Sequence, residues 1–199
     1  MENKYLTLEN VNEDKINIRK SVFISTGKEV INHQQAMEFL ATVKSKYPDA
    51  NHHCWAYIIG ENQVNDDAGE PPGTAGPPIL NVLKRNHLNN TIVVVTRYFG
   101  GKKLGVRGLI DAYREAAEKL LENSNIVVKK PGFVYQLTCD YNYANKLISI
   151  KDSRIKVLEH EFTDMVNIEV FVEADAVLEY EADFTGNNIK IKCKTESIN

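Results

Sequence analysis

An α+β protein built from two domains follows from three features of the 199-residue sequence. Its make-up, 43% apolar and 26% charged, is that of a folded globular chain long enough for one large core or two small ones. Apolar patterns with strand alternation and with helical spacing are interleaved along its length, with no internal repeat. Late in the chain, two lysines and then Pro131-Gly132 punctuate the backbone, fixing φ at one residue and freeing it at the next. The border is placed there, giving expected domains 1–130 and 131–199.

In the first domain "INIRKSVFISTGKEV" reads as a β-hairpin, the stretch from about Gln34 to Lys46 as a helix, and "HHCWAYII" as a strand. An irregular segment rich in glycine and proline follows. A short helix is expected near Ile79 to Arg85, then the strand "TIVVVTRY" and a long helix beyond a run of glycines. That strand is apolar without alternation, so both its faces are expected to be covered, as in the middle of a sheet. In the long helix Leu109, Tyr113, Ala116 and Leu120 form a core stripe, while Arg107, Asp111, Arg114 and Glu118 face water.

In the second domain "FVYQLTCD" alternates like a strand and "YNYANKLISIK" has helical spacing through Ala144, Leu147 and Ile148. "RIKVLEHEF" and "MVNIEVFVEA" alternate again, "DAVLEYEADF" reads as an acidic helix, and "NIKIKCKT" closes as a strand. The order β-α-β-β-α-β is that of the split βαβ, or ferredoxin-like, arrangement, with two helices on one face of a four-stranded antiparallel sheet.

Charge and cysteine usage exclude several function classes. The formal charge of -3 rules out a strongly basic nucleic-acid binder, so any contact with polyanions must rest on a local patch. Residues 126 to 199 hold nine Lys or Arg against twelve Asp or Glu, so the first 125 balance and the second domain carries the acidity. Cys54, Cys139 and Cys193 are scattered and form no CxxC pair, which argues against a disulfide framework and a zinc knuckle. No apolar run reaches the roughly 20 residues that cross a bilayer, and acids stand near the N-terminus where a signal peptide is apolar. A cytoplasmic protein without a membrane partner is expected.

Two loops carry the candidate chemistry. In "VVVTRYFGGKKLGVRGLIDAY" the glycines Gly100, Gly101, Gly105 and Gly108 lead from a strand into a helix. Their spacing matches neither GxxxxGK[ST] nor GxGxxG, so this is neither a Walker loop nor a Rossmann turn. Arg97, Lys102, Lys103 and Arg107 surround Tyr98 and Phe99, with no acid before Asp111. Basic groups on a flexed turn, with rings available for stacking, suit an RNA or phosphate backbone. The competing structural reading pairs Arg107 with Asp111 at i,i+4 and places both rings in the core.

The second loop, "DDAGEPPGTAGPPIL", has three acids, three glycines and four prolines. Asp66, Asp67 and Glu70 would hold a hard cation or supply an acid and a base. The structural alternative is that they make the Asx-type turn bonds of a proline-stiffened loop, and the absence of a histidine at ligand spacing favours it. Neither a metal nor a cofactor is expected. His52, His53 and Cys54 suggest a nucleophile and its base, but in a strand His53 points away from Cys54 and only His52 shares its face. A buried, inert cysteine is the alternative.

"HHCWAY", "DDAGEPPGTAGPPIL" and "VVVTRYFGGKKLGVRGLIDAY", in that order, closely resemble the motifs of the IMPACT family in its bacterial two-domain, YigZ-like branch, over most of residues 15 to 125. Asp66, Asp67, Gly69, Glu70, Gly73, Thr74, Gly76, Arg97, Gly100, Gly101, Leu104, Gly105 and Gly108 stand where that pattern expects them. Pro72, Pro77 and Arg107 depart from it, at positions where a small, a basic and a glycine residue are usual. The resemblance implies an N-terminal fold like domain 2 of ribosomal protein S5 and, more weakly, a C-terminal domain like the last one of elongation factor G.

The resemblance implies no established reaction. It implies binding of RNA or of the ribosome and translation factors. The preferred reading of the residues is a non-enzymatic module without catalytic residues, with Arg97, Lys102, Lys103 and Arg107 as the contacts. Eukaryotic members regulate translation by competing for an activator of the amino-acid-starvation kinase through an additional domain, so that role is not carried over. Two other functions stay open: an enzyme acting on a phosphorylated small molecule or a peptide through Asp66, Asp67 and Glu70, and a protein-interaction adaptor working through the acidic second domain.

Overall fold

The computed structural model describes residues 4–187 and 189–198, and the Cys193 side chain lies outside the described set. The protein is mixed α/β and divides into two compact units, one spanning Tyr5–Val128 and one comprising Lys4 together with the chain from Lys129 onward. In chain order the first unit carries β1 (Tyr5–Leu8), β2 (Asn12–Ile18), β3 (Ser21–Glu29), α1 (His33–Lys46), β4 (His52–Ile59), β5 (Asn62–Asp66), α2 (Gly76–Arg85), β6 (Thr91–Tyr98) and α3 (Gly105–Glu122). A short strand, β7 (Ile126–Lys129), then pairs with β1.

Five strands form an antiparallel sheet in the order β2-β3-β6-β4-β5. Strand β6 lies in its middle, as its unbroken apolar run implies. Val93 and Val95 join the core under α2 and α3, whereas Ile92 and Val94 join Trp55, Tyr57 and the buried face of α1 on the other side. The stripe Leu109, Tyr113, Ala116 and Leu120 of α3 is buried as its spacing predicts.

Three strands escape the periodicity reading. Strand β5 has one apolar residue, Val64, among five, and owes its existence to the hairpin that turns at Gly60 and pairs it with β4. β1 and β7 span only four residues each, too short to show a period. Helix α2 begins at Gly76 rather than near Ile79. Pro77 and Pro78 occupy its first positions, where a missing N–H leaves no intrahelical bond unmade.

The second unit runs β8 (Pro131–Cys139), α4 (Tyr141–Ile148), β9 (Ile155–Phe162), β10 (Val166–Glu173), α5 (Val177–Gly186) and β11 (Lys190–Ile198). Its antiparallel sheet has the order β11-β8-β10-β9, so the β-α-β-β-α-β succession read from the sequence is observed. Tyr135, Leu137, Leu147, Val170, Tyr180 and Phe184 are among the residues of its core. Pro131 and Gly132, read as punctuation, instead open β8. The Pro131 carbonyl accepts from Ala174 N–H at 3.0 Å, and a Cβ on Gly132 would lie 2.3 Å from the Val172 oxygen.

Candidate functional site

Strand register decides the environment of Arg97. It pairs across β6 with Phe23 on β3 and His52 on β4, and its parity with Val93 and Val95 turns it toward the α2/α3 face. Only 5% of Arg97 is exposed. A guanidinium so deep requires a counter-charge. Glu70, also buried, supplies it: Arg97 Nη1 donates to Glu70 Oε1 at 2.5 Å, and the Tyr113 hydroxyl donates to the same oxygen at 2.8 Å. His52 Nε2 stands 4.0 Å from that oxygen. Arg97 Nη2 reaches Ser21 Oγ at 3.4 Å, and among the described residues its Nε has no acceptor. The guanidinium lies 5.5 Å from the ring centres of both Phe23 and Phe99.

Arg97 is thus not the exposed phosphate contact expected from the basic run. The strand carries it into the core, and Glu70 neutralises it there. Nor do Asp66, Asp67 and Glu70 form one acidic cluster. Asp67 folds back on its own loop and accepts from the amides of Gly73 at 2.7 Å, Ala75 at 2.8 Å and Gly76 at 2.9 Å. Burial pushes its carboxyl up, but the backbone donors of Gly73, Ala75, Gly76 and Thr74 outweigh this and hold it below the usual range. Asp66 Oδ1 accepts from Ala68 N–H at 2.6 Å. These are the turn bonds of the structural alternative, and among the described residues no His, Cys, Asp and Glu group has the arrangement to hold a metal.

The same loop quiets the cysteine. Cys54 Sγ donates to the Asp67 carbonyl at 2.9 Å, and burial pushes its thiol up to about 12, so it stays protonated at neutral pH. His52 does share its face but bonds through Nδ1 to the Ala68 carbonyl at 3.0 Å, and His53 turns away to Thr96 Oγ1 at 3.1 Å. Buried Thr74 closes its turn on the Pro71 carbonyl at 2.7 Å. Gly69 and Gly73 adopt positive φ, and Gly76 starts α2.

The glycine loop behaves differently. Gly100 packs so closely on the β2–β3 turn that a Cβ there would lie 2.0 Å from the Lys20 oxygen, which only glycine tolerates. Beyond it Gly101 and Gly105 take positive φ, and Gly108 lies in the first turns of α3. Lys102, Lys103 and Arg107 are exposed, and among the described residues none of them holds an ion pair. Asp111 pairs with Arg114 at 3.1 Å rather than with Arg107. The Gly100 contact also sets the exposed Arg19-Lys20 turn beside the loop, adding two cations that are about eighty positions away in sequence.

Between the two loops lies a cleft of about 450 Å³, lined by Asn51, His52, Glu70, Arg97, Phe99 and Lys103 together with Pro71 and the start of α3. Two of the four residues that would have to converge for the two loops to make one site, Glu70 and Arg97, line it, whereas Asp66 and Lys102 do not; Lys103 lines it in addition. Phe99 is 46% exposed rather than core, and its N–H is held by Asn51 Oδ1 at 2.7 Å.

The segment that builds this site, residues 19–121, matches the Impact N-terminal domain family. The chain belongs to the IMPACT family. It is 38% identical to the IMPACT family member YvyE of Bacillus subtilis over 96% of this chain and 92% of that one. Against the IMPACT family member YigZ of Escherichia coli it is 30% identical over 87% of this chain and 90% of the other. A crystal structure described as that of a hypothetical protein, 29% identical, superposes with a TM-score of 0.68 over 96% of this chain and 97% of its own. In this IMPACT chain Pro77 lies in the first turn of α2 and Arg107 lies exposed in the first turn of α3. These two of the three positions read above as departures leave α2 without a base at its start and give α3 one.

Proposed function

We propose that this protein is a non-enzymatic regulatory module of the cytoplasm that binds RNA of the translation machinery along the edge formed by Lys102, Lys103 and Arg107, with the Arg19-Lys20 turn beside it. The observation that carries the reading is the exposure of these cations without ion-pair partners among the described residues, next to an exposed aromatic ring. Membership of the family supplies the translational setting. In this reading Arg97 acts from within, holding Phe99 and Glu70 in place.

On the same reading the division is 1–130 and 131–199. The first domain takes the S5 domain 2-like fold, and the second takes the ferredoxin-like fold of the last domain of elongation factor G. The succession β-α-β-β-α-β and the strand order β11-β8-β10-β9 support the latter. No helix among the described residues is long and apolar enough to cross a membrane.

Salt dependence tests the reading. Affinity for single-stranded RNA should fall with salt, with a slope of about 0.7 per phosphate contact in the logarithmic plot. The Lys102→Ala/Lys103→Ala variant should reduce that slope by about 1.4, two contacts' worth, while its urea midpoint stays close to that of the parent. An unchanged slope would exclude this edge as the contact.

A further inference from the structure

The cleft and the basic edge meet at the start of α3. The N-cap residue there, Leu104, offers no side-chain acceptor, and no acid stands in the first turn. The first amides of an 18-residue helix and the positive end of its dipole are left without an acid to meet them. Lys103, Leu104, Gly105 and Val106 line the same cleft whose floor is Arg97. An anion-attracting helix start and a buried guanidinium, the latter already paired with Glu70, therefore share one cavity.

The remaining walls narrow the ligand. Phe99 and Val106 line the cleft side by side at 46% and 61% exposure, so its mouth offers an aromatic and an aliphatic surface. The Arg97 guanidinium lies over the Phe99 ring on one side, and the exposure of that ring leaves surface for a second flat group. At the floor, Arg97 has five N–H donors. One makes a short bond to Glu70 and Nη2 makes a long one to Ser21; Nε, itself closed off from solvent, makes none among the described residues. About 450 Å³ lies within the range of small-ligand sites and is too little for a duplex.

We propose that this cleft takes one ribonucleotide unit, its base stacked on Phe99 above the Arg97 floor and its phosphate on the α3 amides and Lys103. The proposal rests on the RNA-binding reading and deepens it by naming the subsite. An unpaired nucleotide of an RNA strand and a free nucleoside 5′-monophosphate present the same base and phosphate, so both are sources of this unit.

The test uses the full-length protein with a fluorescein-labelled, unstructured ten-nucleotide RNA followed by anisotropy, and with AMP, GMP, CMP, UMP and inorganic phosphate as competitors. Phe99→Ala should weaken RNA binding about tenfold, the size of one lost stacking contact. Phe99→Leu, which keeps an apolar side chain and removes only the π-face, should do the same. Val106→Glu, which sets a carboxylate at the helix start beside Lys103, should weaken it further and lower the salt slope, whereas both Phe99 variants should keep the slope. Competition by a mononucleotide identifies the free nucleotide as a source, and its failure with these losses intact identifies a unit within RNA; either supports the subsite. Inorganic phosphate competing as well as the nucleotides would overturn the proposal, because the base would then contribute nothing. RNA binding with its salt slope intact and insensitive to Phe99 and Val106 would overturn the subsite but leave the RNA reading standing, whereas no RNA binding at low salt would end both.

Discussion

Helices α2 and α3 both follow glycine-rich loops and pack on the same face of one sheet, yet their N-termini differ. At α2, Asp67 reaches back across its loop to three amides, and two prolines remove further donors from the first turn. At α3 the loop carries lysines instead of acids and no side chain caps the helix. The first loop satisfies its own backbone and turns inward; the second leaves the start of its helix without a side-chain cap and its lysines exposed. Chemistry that looked symmetrical in the sequence, an acidic loop and a basic one, separates into a loop bonded to itself and an exposed cationic one, the edge proposed above as the binding surface.

The bond that joins the two loops gives the largest expected effect. Glu70→Ala leaves the Arg97 guanidinium buried without its carboxylate and should lower unfolding free energy in urea by about 3–5 kcal/mol. Replacing both partners by apolar residues, as in Glu70→Leu/Arg97→Met, should recover most of that loss. A double variant as unstable as the single would mean that the pair is not what the site depends on.

Opening the closed helix start comes next. Asp67→Ala should cost about 0.5–2 kcal/mol, as for other lost caps. Because the folded Asp67 carboxyl lies below its ordinary value of 3.8, its contribution is present above that pH and disappears as pH falls through the lowered value. The variant should therefore have a flatter acid limb in its stability profile, seen by chemical denaturation from pH 6 downward, and a parallel limb would contradict the role assigned to Asp67.

Closing the open one gives the smallest effect. Val106→Glu adds an acid to the first turn of α3 and should raise stability by about 0.3–1 kcal/mol at low salt, measured by thermal unfolding, an increment that salt should erase. Destabilisation instead would show that the amides at this start are already satisfied.

Much of the fold was legible because it is written in local periodicity. The central place of β6 follows from its unbroken apolar run, the buried stripe of α3 from its 3.6-residue spacing, and the order of the second unit from alternating and helical stretches. Strand β5 was not legible, because it depends on its hairpin partner rather than on its own composition. One signal for Arg97 was available: it shares parity with Val93 and Val95 in a strand expected to be covered on both faces, which points it inward.

What the sequence determined by itself is the helices and the longer strands, the family and the presence of one acidic and one basic loop. Those depend on residues a few positions apart. Tertiary structure alone decided how the charges are used: Glu70 reaches Arg97 across 27 positions, Asp67 turns onto α2, and Gly100 brings the Arg19-Lys20 turn alongside Lys102 and Lys103. The physical reason is that a charge takes its value from what surrounds it. Strand register and loop closure supply those surroundings from distant parts of the chain.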